Sequence, residues 1–192
     1  MIESPQSLKT KENHSEKELV ERSKKGDQLA FKQLVTLYEQ QVRKTVIGML
    51  GDTVEAKDVA QEVFIRFYKA LKDFRGDAKV GTYLTRIAIN LSLNEIKRRK
   101  SKQRWMTWMP GKEQLPERTD NSNTSKSLET RDWIEKALVK LEPEFRAVVV
   151  VRLIDGYSVK EAAEILNLPI GTIASRLARG QKKLIAIMKE LK

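Results

Sequence analysis

Residues 157–184 read YSVKEAAEILNLPIGTIASRLARGQKKL, and their pattern is that of two short helices with a tight turn between them. Ser158 is placed to cap the first helix, with Glu161 three residues on as the other half of a capping box. Ala162, Ala163, Ile165 and Leu166 form a small apolar stripe. Asn167 suits a left-handed helix end, and Pro169 pre-sets the backbone where the next helix starts. Residues 171–183 contain four basic side chains, Arg176, Arg179, Lys182 and Lys183, and no acidic one. This is the layout of a helix-turn-helix whose second helix enters the DNA major groove. An ordinary helical hairpin with a solvated basic face is the plainer reading of the same residues.

The composition agrees with a nucleic-acid partner. Among 192 residues, 37 Lys and Arg stand against 26 Asp and Glu, a net charge of +11. Such an excess favours polyanions, less often an anionic membrane face. No cysteine is present, and the single histidine, His14, lies in a polar stretch. Disulfides, thiolate metal sites and histidine-centred catalysis are thereby excluded, and no cofactor or metal is expected. The first eighteen residues lack a signal-peptide core, and no apolar run is long enough to span a bilayer. The expected location is cytoplasmic.

Outward from the motif, the apolar spacing is helical almost throughout. Ala30, Phe31, Leu34, Val35, Tyr38, Val42, Val46, Met49 and Leu50 predict a helix that stops at Gly51. Residues 53–72 carry a clean stripe through Ala56, Val59, Ala60, Val63, Phe64, Phe67, Tyr68 and Leu71, with Asp58, Gln61, Glu62, Ile65 and Arg66 off it. Another helix is predicted from Thr82 to about Arg99. The periodicity then disappears through Pro110, Gly111, Pro116 and a polar tract, which reads as a tether. Helical spacing resumes at Ile134, and a further helix follows Glu142-Pro143. In that helix Val148 to Val151 are locally strand-like, and tertiary packing must keep them helical. The expectation is an all-α chain: a disordered tail (1–14), a first helical domain (15–99), a flexible linker (100–128) and a helix-turn-helix domain (129–192). The two domains are expected to behave independently unless Trp105 and Trp108 in the linker tie them together.

The two blocks in this order resemble bacterial RNA polymerase sigma factors of the extracytoplasmic-function type. The segment GDQLAFKQLVTLYE resembles that family's opening helix and DVAQEVFIRFYKAL its polymerase-binding helix. FRGDAKVGTYLTRIAINLSLNEIKRRK is similar to its promoter-melting and minus-ten segment. The stretch from Leu141 to Leu184 is similar to its minus-thirty-five reader. The resemblance implies a promoter-specificity subunit with no catalytic residues and no small-molecule substrate. Its partners would be core RNA polymerase, promoter DNA and, by family habit, an anti-sigma factor, membrane-bound in cases where the protein is held at the inner membrane face.

Asp58, Gln61, Glu62, Ile65 and Arg66 would dock on core polymerase. Tyr83, Asn90, Asn94, Lys97, Arg98 and Arg99 would meet the minus-ten DNA, through stacking, polar edges and phosphate contacts. Thr172, Ser175, Arg176, Arg179, Lys182 and Lys183 would meet the minus-thirty-five element, while Ile173 and Leu177 face the core. Tyr83 reads equally well as a core aromatic, and Thr172 as a helix cap. The family usually has tryptophan at Tyr83, phenylalanine at Val80, aspartate at Asn94 and often a basic residue at Ala174, so the bases recognised stay open. Two other readings remain. One is a stand-alone helix-turn-helix regulator, which leaves residues 26–99 unexplained. The other is a nucleic-acid enzyme, for which no carboxylate cluster or phosphate loop speaks.

Overall fold

A computed structural model describes residues 16–108 and 126–191, with backbone only at 106, 107 and 126–131. Every regular element among them is helical: α1 (16–24), α2 (Gln28–Leu50), α3 (Val54–Ala70) with a 3₁₀ turn at Leu71–Asp73, α4 (Val80–Trp108), α5 (Lys126–Lys140), α6 (Pro143–Val149), a π turn at Val150–Ile154, α7 (Val159–Leu166) and α8 (Ile170–Glu190). The predicted tail and the 109–125 part of the predicted linker lie outside the described residues.

Local chemistry sets the helix ends. The Asp27 carboxylate accepts from the amides of Leu29 and Ala30, and Gly51 closes α2 with φ 76°. Thr53 caps α3 through the Ala56 amide, and Pro143 starts α6 at the position where a missing N–H costs nothing. α1 has only Leu19 and Val20 as large apolar residues, too few for a periodic signal. It nonetheless buries Val20 and ties to α2 through the Tyr38 hydroxyl, which donates to Glu16 at 2.5 Å.

α2, α3 and α4 pack around Leu34, Val63, Phe67, Leu84 and Ile89, all essentially solvent-free. α4 does not stop near Arg99 as its spacing suggested. It runs on through Trp108, about 43 Å in all at 1.5 Å per residue. The second domain packs α5, α6 and α8 around Leu138, Leu141, Phe145 and Val149. The four valines 148–151 are fully buried, so packing does override their strand preference. The helix nevertheless widens into a π turn from Val150 onward.

The expectation of independent domains is overturned. One hydrophobic core runs from Val46, Met49 and Leu50 of the first domain into Val148, Val150 and Val151 of the second. Gly48 makes this approach possible, because a Cβ there would lie 3.0 Å from the Val150 side chain. Around that contact, polar groups cross the interface. Gln41 donates to the Tyr157 hydroxyl at 2.7 Å, and Thr85 lies 3.1 Å from the same oxygen. Thr45 donates to Asp155 at 3.0 Å, and Arg86 donates to the Glu164 carbonyl at 2.7 Å. Trp105 and Trp108 take no part in this contact; they are 57% and 82% exposed.

Candidate nucleic-acid interface

The helix-turn-helix forms as its residues dictate. The Ser158 hydroxyl accepts from the Glu161 amide at 3.2 Å while the Glu161 carboxylate accepts from the Ser158 amide at 2.8 Å. Those same bonds hold the Glu161 carboxyl below its ordinary range. Asn167 adopts the left-handed conformation, φ 52° and ψ 52°, and Pro169 caps α8. Ile173 and Gly180 are buried and Leu177, Leu184 and Ile187 pack against the core, which turns the opposite side of α8 outward.

On that outward side the predicted residues divide. Arg179 and Lys182 are exposed and make no ion pair among the described residues. Arg176 is bound to Glu144 at 3.1 Å. Lys183 pairs with Glu142 and sits over the Phe145 ring, 5.1 Å from its centre. Ser175 is half-buried and returns its hydroxyl to the Thr172 carbonyl at 3.1 Å. The α8 N-terminus has no side-chain cap, so Thr172 does not act as one. Ala174 is exposed and leaves a gap in the cationic row. Pairing of two cations by the acidic start of α6 was not legible in the sequence, where those residues stand over thirty positions apart.

In α4 the division is similar. Asn90, Asn94 and Lys97 are exposed along one side. Tyr83 is instead part of an aromatic cluster, 5.2 Å from Phe74 and 6.0 Å from Phe67 between ring centres. Only part of its ring is left to solvent, so the core-aromatic reading describes where it sits. Val80 is buried. Arg98 is held by Glu95 at 2.7 Å. Arg99 straps α4 to the start of α3, reaching Glu95 at 3.1 Å, Thr53 at 2.9 Å and Glu55 at 3.2 Å. The Glu95 carboxyl is held below its ordinary range, chiefly by its hydrogen bond to Arg98.

The third surface is the outer side of α3. Asp58, Gln61, Ile65 and Arg66 are exposed, and Glu62 is half-buried in an ion pair with Arg66 at 2.9 Å. α3 packs on α2 and α4 with its other side, so this face is uncovered by either domain. Among the described residues no group of three metal-ligating side chains could hold an ion, and no helix is long and apolar enough to cross a membrane.

Residues 34–102 match the family model of sigma-70 region 2, and residues 131–184 that of sigma-70 region 4. The chain is 34% identical over 182 residues to the ECF RNA polymerase sigma factor SigW of Bacillus subtilis, covering 91% of this chain and 97% of that one. The chain belongs to the ECF sigma factors. It is also 31% identical over 189 residues to the RNA polymerase sigma-H factor of Pseudomonas aeruginosa, covering 92% of this chain and 95% of that one. In fold, this sigma factor is similar to CnrH solved with the cytosolic domain of CnrY, at TM-score 0.67, 24% identity and coverage of 92% and 98%. RpoE of Bartonella quintana, solved with the anti-sigma factor NepR, gives TM-score 0.64 at 21% identity, covering 83% and 96%. A sigma factor is a transcription initiation factor that directs RNA polymerase to promoters, and the stand-alone regulator falls away because region 2 occupies the residues that it left unexplained.

Proposed function

We propose that this sigma factor binds core RNA polymerase through the outer face of α3 and reads promoter DNA with two separate surfaces. The single observation that carries this division is the exposure of α3's outer face, Asp58, Gln61, Ile65 and Arg66, on a helix whose opposite side buries Ala56, Val63 and Phe67 in the domain core. The N-terminal domain, 15–99 with the helical extension of α4, would hold the minus-ten strand along Asn90, Asn94 and Lys97. The C-terminal domain, 129–192, would place α8 on the minus-thirty-five element with Arg179 and Lys182 as its free cations and Thr172, Ser175, Arg176 and Lys183 around them. Tyr83, Arg98 and Arg99 contribute chiefly by shaping α4.

The protein does no covalent chemistry in this reading and works in the cytoplasm. An anti-sigma factor is a fitting partner, since the similar RpoE was solved with one. Run-off transcription with core polymerase tests the reading. Start sites that depend on the added chain support it, and failure to co-purify with core polymerase refutes it.

A further inference from the structure

Beyond Ile96 no described side chain of α4 belongs to the hydrophobic core, and residues 100–105 and Trp108 are exposed. At 100° per residue, Asn90, Asn94, Lys97, Arg104, Trp105 and Trp108 fall within an arc of about 100° on one side of the helix. That stripe is about 27 Å long from Asn90 to Trp108. Arg99, the cation spent on Glu55 and Glu95, points from the opposite side. Lys100 and Lys102 flank the stripe, and Lys100, Gln103, Arg104 and Trp108 line a shallow groove at its end.

From residue 96 to residue 108 the sequence has six basic residues and no acidic one. Lys97, Lys100, Lys102 and Arg104 have no ion pair among the described residues. Two indole rings at i and i+3 therefore stand exposed within a row of uncompensated cations. Protein interfaces favour Trp and Arg at their centres but are depleted in Lys, and Lys97, Lys100 and Lys102 set this surface apart from them. Duplex DNA offers base edges in its grooves but no base faces. Unpaired bases offer faces to stack on and phosphates to pair, which is what alternating rings and cations bind.

We propose that the exposed end of α4 is a stacking platform for single-stranded DNA, continuous with the strand held at Asn90 and Asn94. Trp105 and Trp108 stack on bases while Lys97, Lys100 and Arg104 follow the phosphates. The proposal rests on the reading of Asn90 and Asn94 as DNA contacts and extends the held strand beyond them.

The test uses the full chain, free and assembled with core polymerase, carrying Trp133→Phe so that Trp105 and Trp108 are the only tryptophans of this chain. The probes are a promoter-sequence single strand, the same sequence as duplex, and a forked template with a single-stranded arm. Quenching by the single strand and not by the duplex is expected. Trp105→Ala with Trp108→Ala should weaken the forked template by about 5- to 150-fold for each stacked ring. Phenylalanine at both positions should restore most of that loss, and assembly with core polymerase should be unchanged.

Unaltered binding of the forked template by the double alanine variant would overturn the proposal. So would protection of the tryptophans by core polymerase alone together with weakened assembly, which would make the platform a protein contact. Asn90→Ala with Asn94→Ala separates the two levels. Loss there with none at the tryptophans sinks only the extension, and loss at neither pair sinks the reading of α4 beneath it as well.

Discussion

Arg146 is a buried cation with no carboxylate partner among the described residues. It is 6% exposed and donates instead to the carbonyls of Val139 and Leu141, at the end of α5, and of Met49, at the end of α2. Burial lowers its pKa to about 10, so it stays charged at neutral pH. The carbonyl ends of two helices are where a cation is best tolerated, and each such carbonyl would otherwise be an unmet acceptor. Arg146→Met keeps the volume and removes the donors, so we expect a loss of about 2–4 kcal/mol in denaturant titration. A loss under about 1 kcal/mol would mean that water replaces the guanidinium. In α8, Arg179 is free and Arg176 is partly spent on Glu144. Arg179→Ala is accordingly expected to weaken promoter binding by about 1–3 kcal/mol, and Arg176→Ala by less, when measured on a promoter fragment with holoenzyme. The reverse order would show that DNA pulls Arg176 away from Glu144.

α3 divides cleanly between an inner apolar side and an outer charged side. Reversing charge at Asp58 and Glu62 breaks only an exposed pair with Arg66, worth a few tenths of a kcal/mol. At a docked interface, the same reversal sets like charges against each other. Asp58→Arg with Glu62→Arg should therefore fold normally by circular dichroism and fail to co-purify with core polymerase. Normal assembly would remove this face from the docking surface. The apolar positions Leu84, Ile87, Ala88 and Leu91 predict helix to about Arg99, and Ile96 is the last described residue of α4 in the core. The continuation carries good helix formers, Lys100, Lys102, Gln103 and Arg104, whose propensity gives no periodic signal.

The docked domains have a consequence for the whole molecule. The two promoter elements are about 25 base pairs apart, about 85 Å along the duplex. A compact chain of this length has a radius of gyration of about 16 Å and is about 40 Å across. In the proposed arrangement the domains cannot hold both elements while docked, so the contact at Gly48, Thr45 and Tyr157 is expected to part on the promoter.

Asp155 makes that contact sensitive to pH. Burial pushes its carboxyl from 3.8 up to about 7, against the pull of the Thr45 hydrogen bond and of Lys44. Its second oxygen has no partner among the described residues, nor does the nearby Arg152 Nε, and the Tyr157 phenol is itself pushed up, chiefly by burial, with the Asp155 charge adding to it. When the domains part, solvent returns and the carboxyl falls back toward 3.8, so docking takes up a proton. The docked form is then fully favoured below the carboxyl's parted pKa and weakens as pH rises through about 7. The effect is on the order of a few kcal/mol at most. X-ray scattering should show a more extended free protein at about pH 8 than at about pH 6, and Asp155→Asn should stay compact at both. An identical profile for wild type across that range would show that Asp155 does not govern docking.

The sequence by itself determined where the long helices lie, though not how far α4 runs, along with the capping box at Ser158 and Glu161, the left-handed Asn167, the inward Ile173 and the two-part order that marks the family. These depend on neighbours within a turn or two, and spacing along the chain records them directly. Tertiary structure alone decided which candidate residues are free. Arg99 is spent on Glu55, Arg176 on Glu144, Lys183 on Glu142 and Tyr83 on Phe74, each through a partner that local spacing does not place beside it. It also decided that the domains dock. Gln41, Thr45, Asp155 and Tyr157 are unremarkable polar residues until helices more than a hundred positions apart bring them together and exclude water. The long-range term that joins them is the burial of Val150 against Gly48, and no periodic pattern within either segment encodes it.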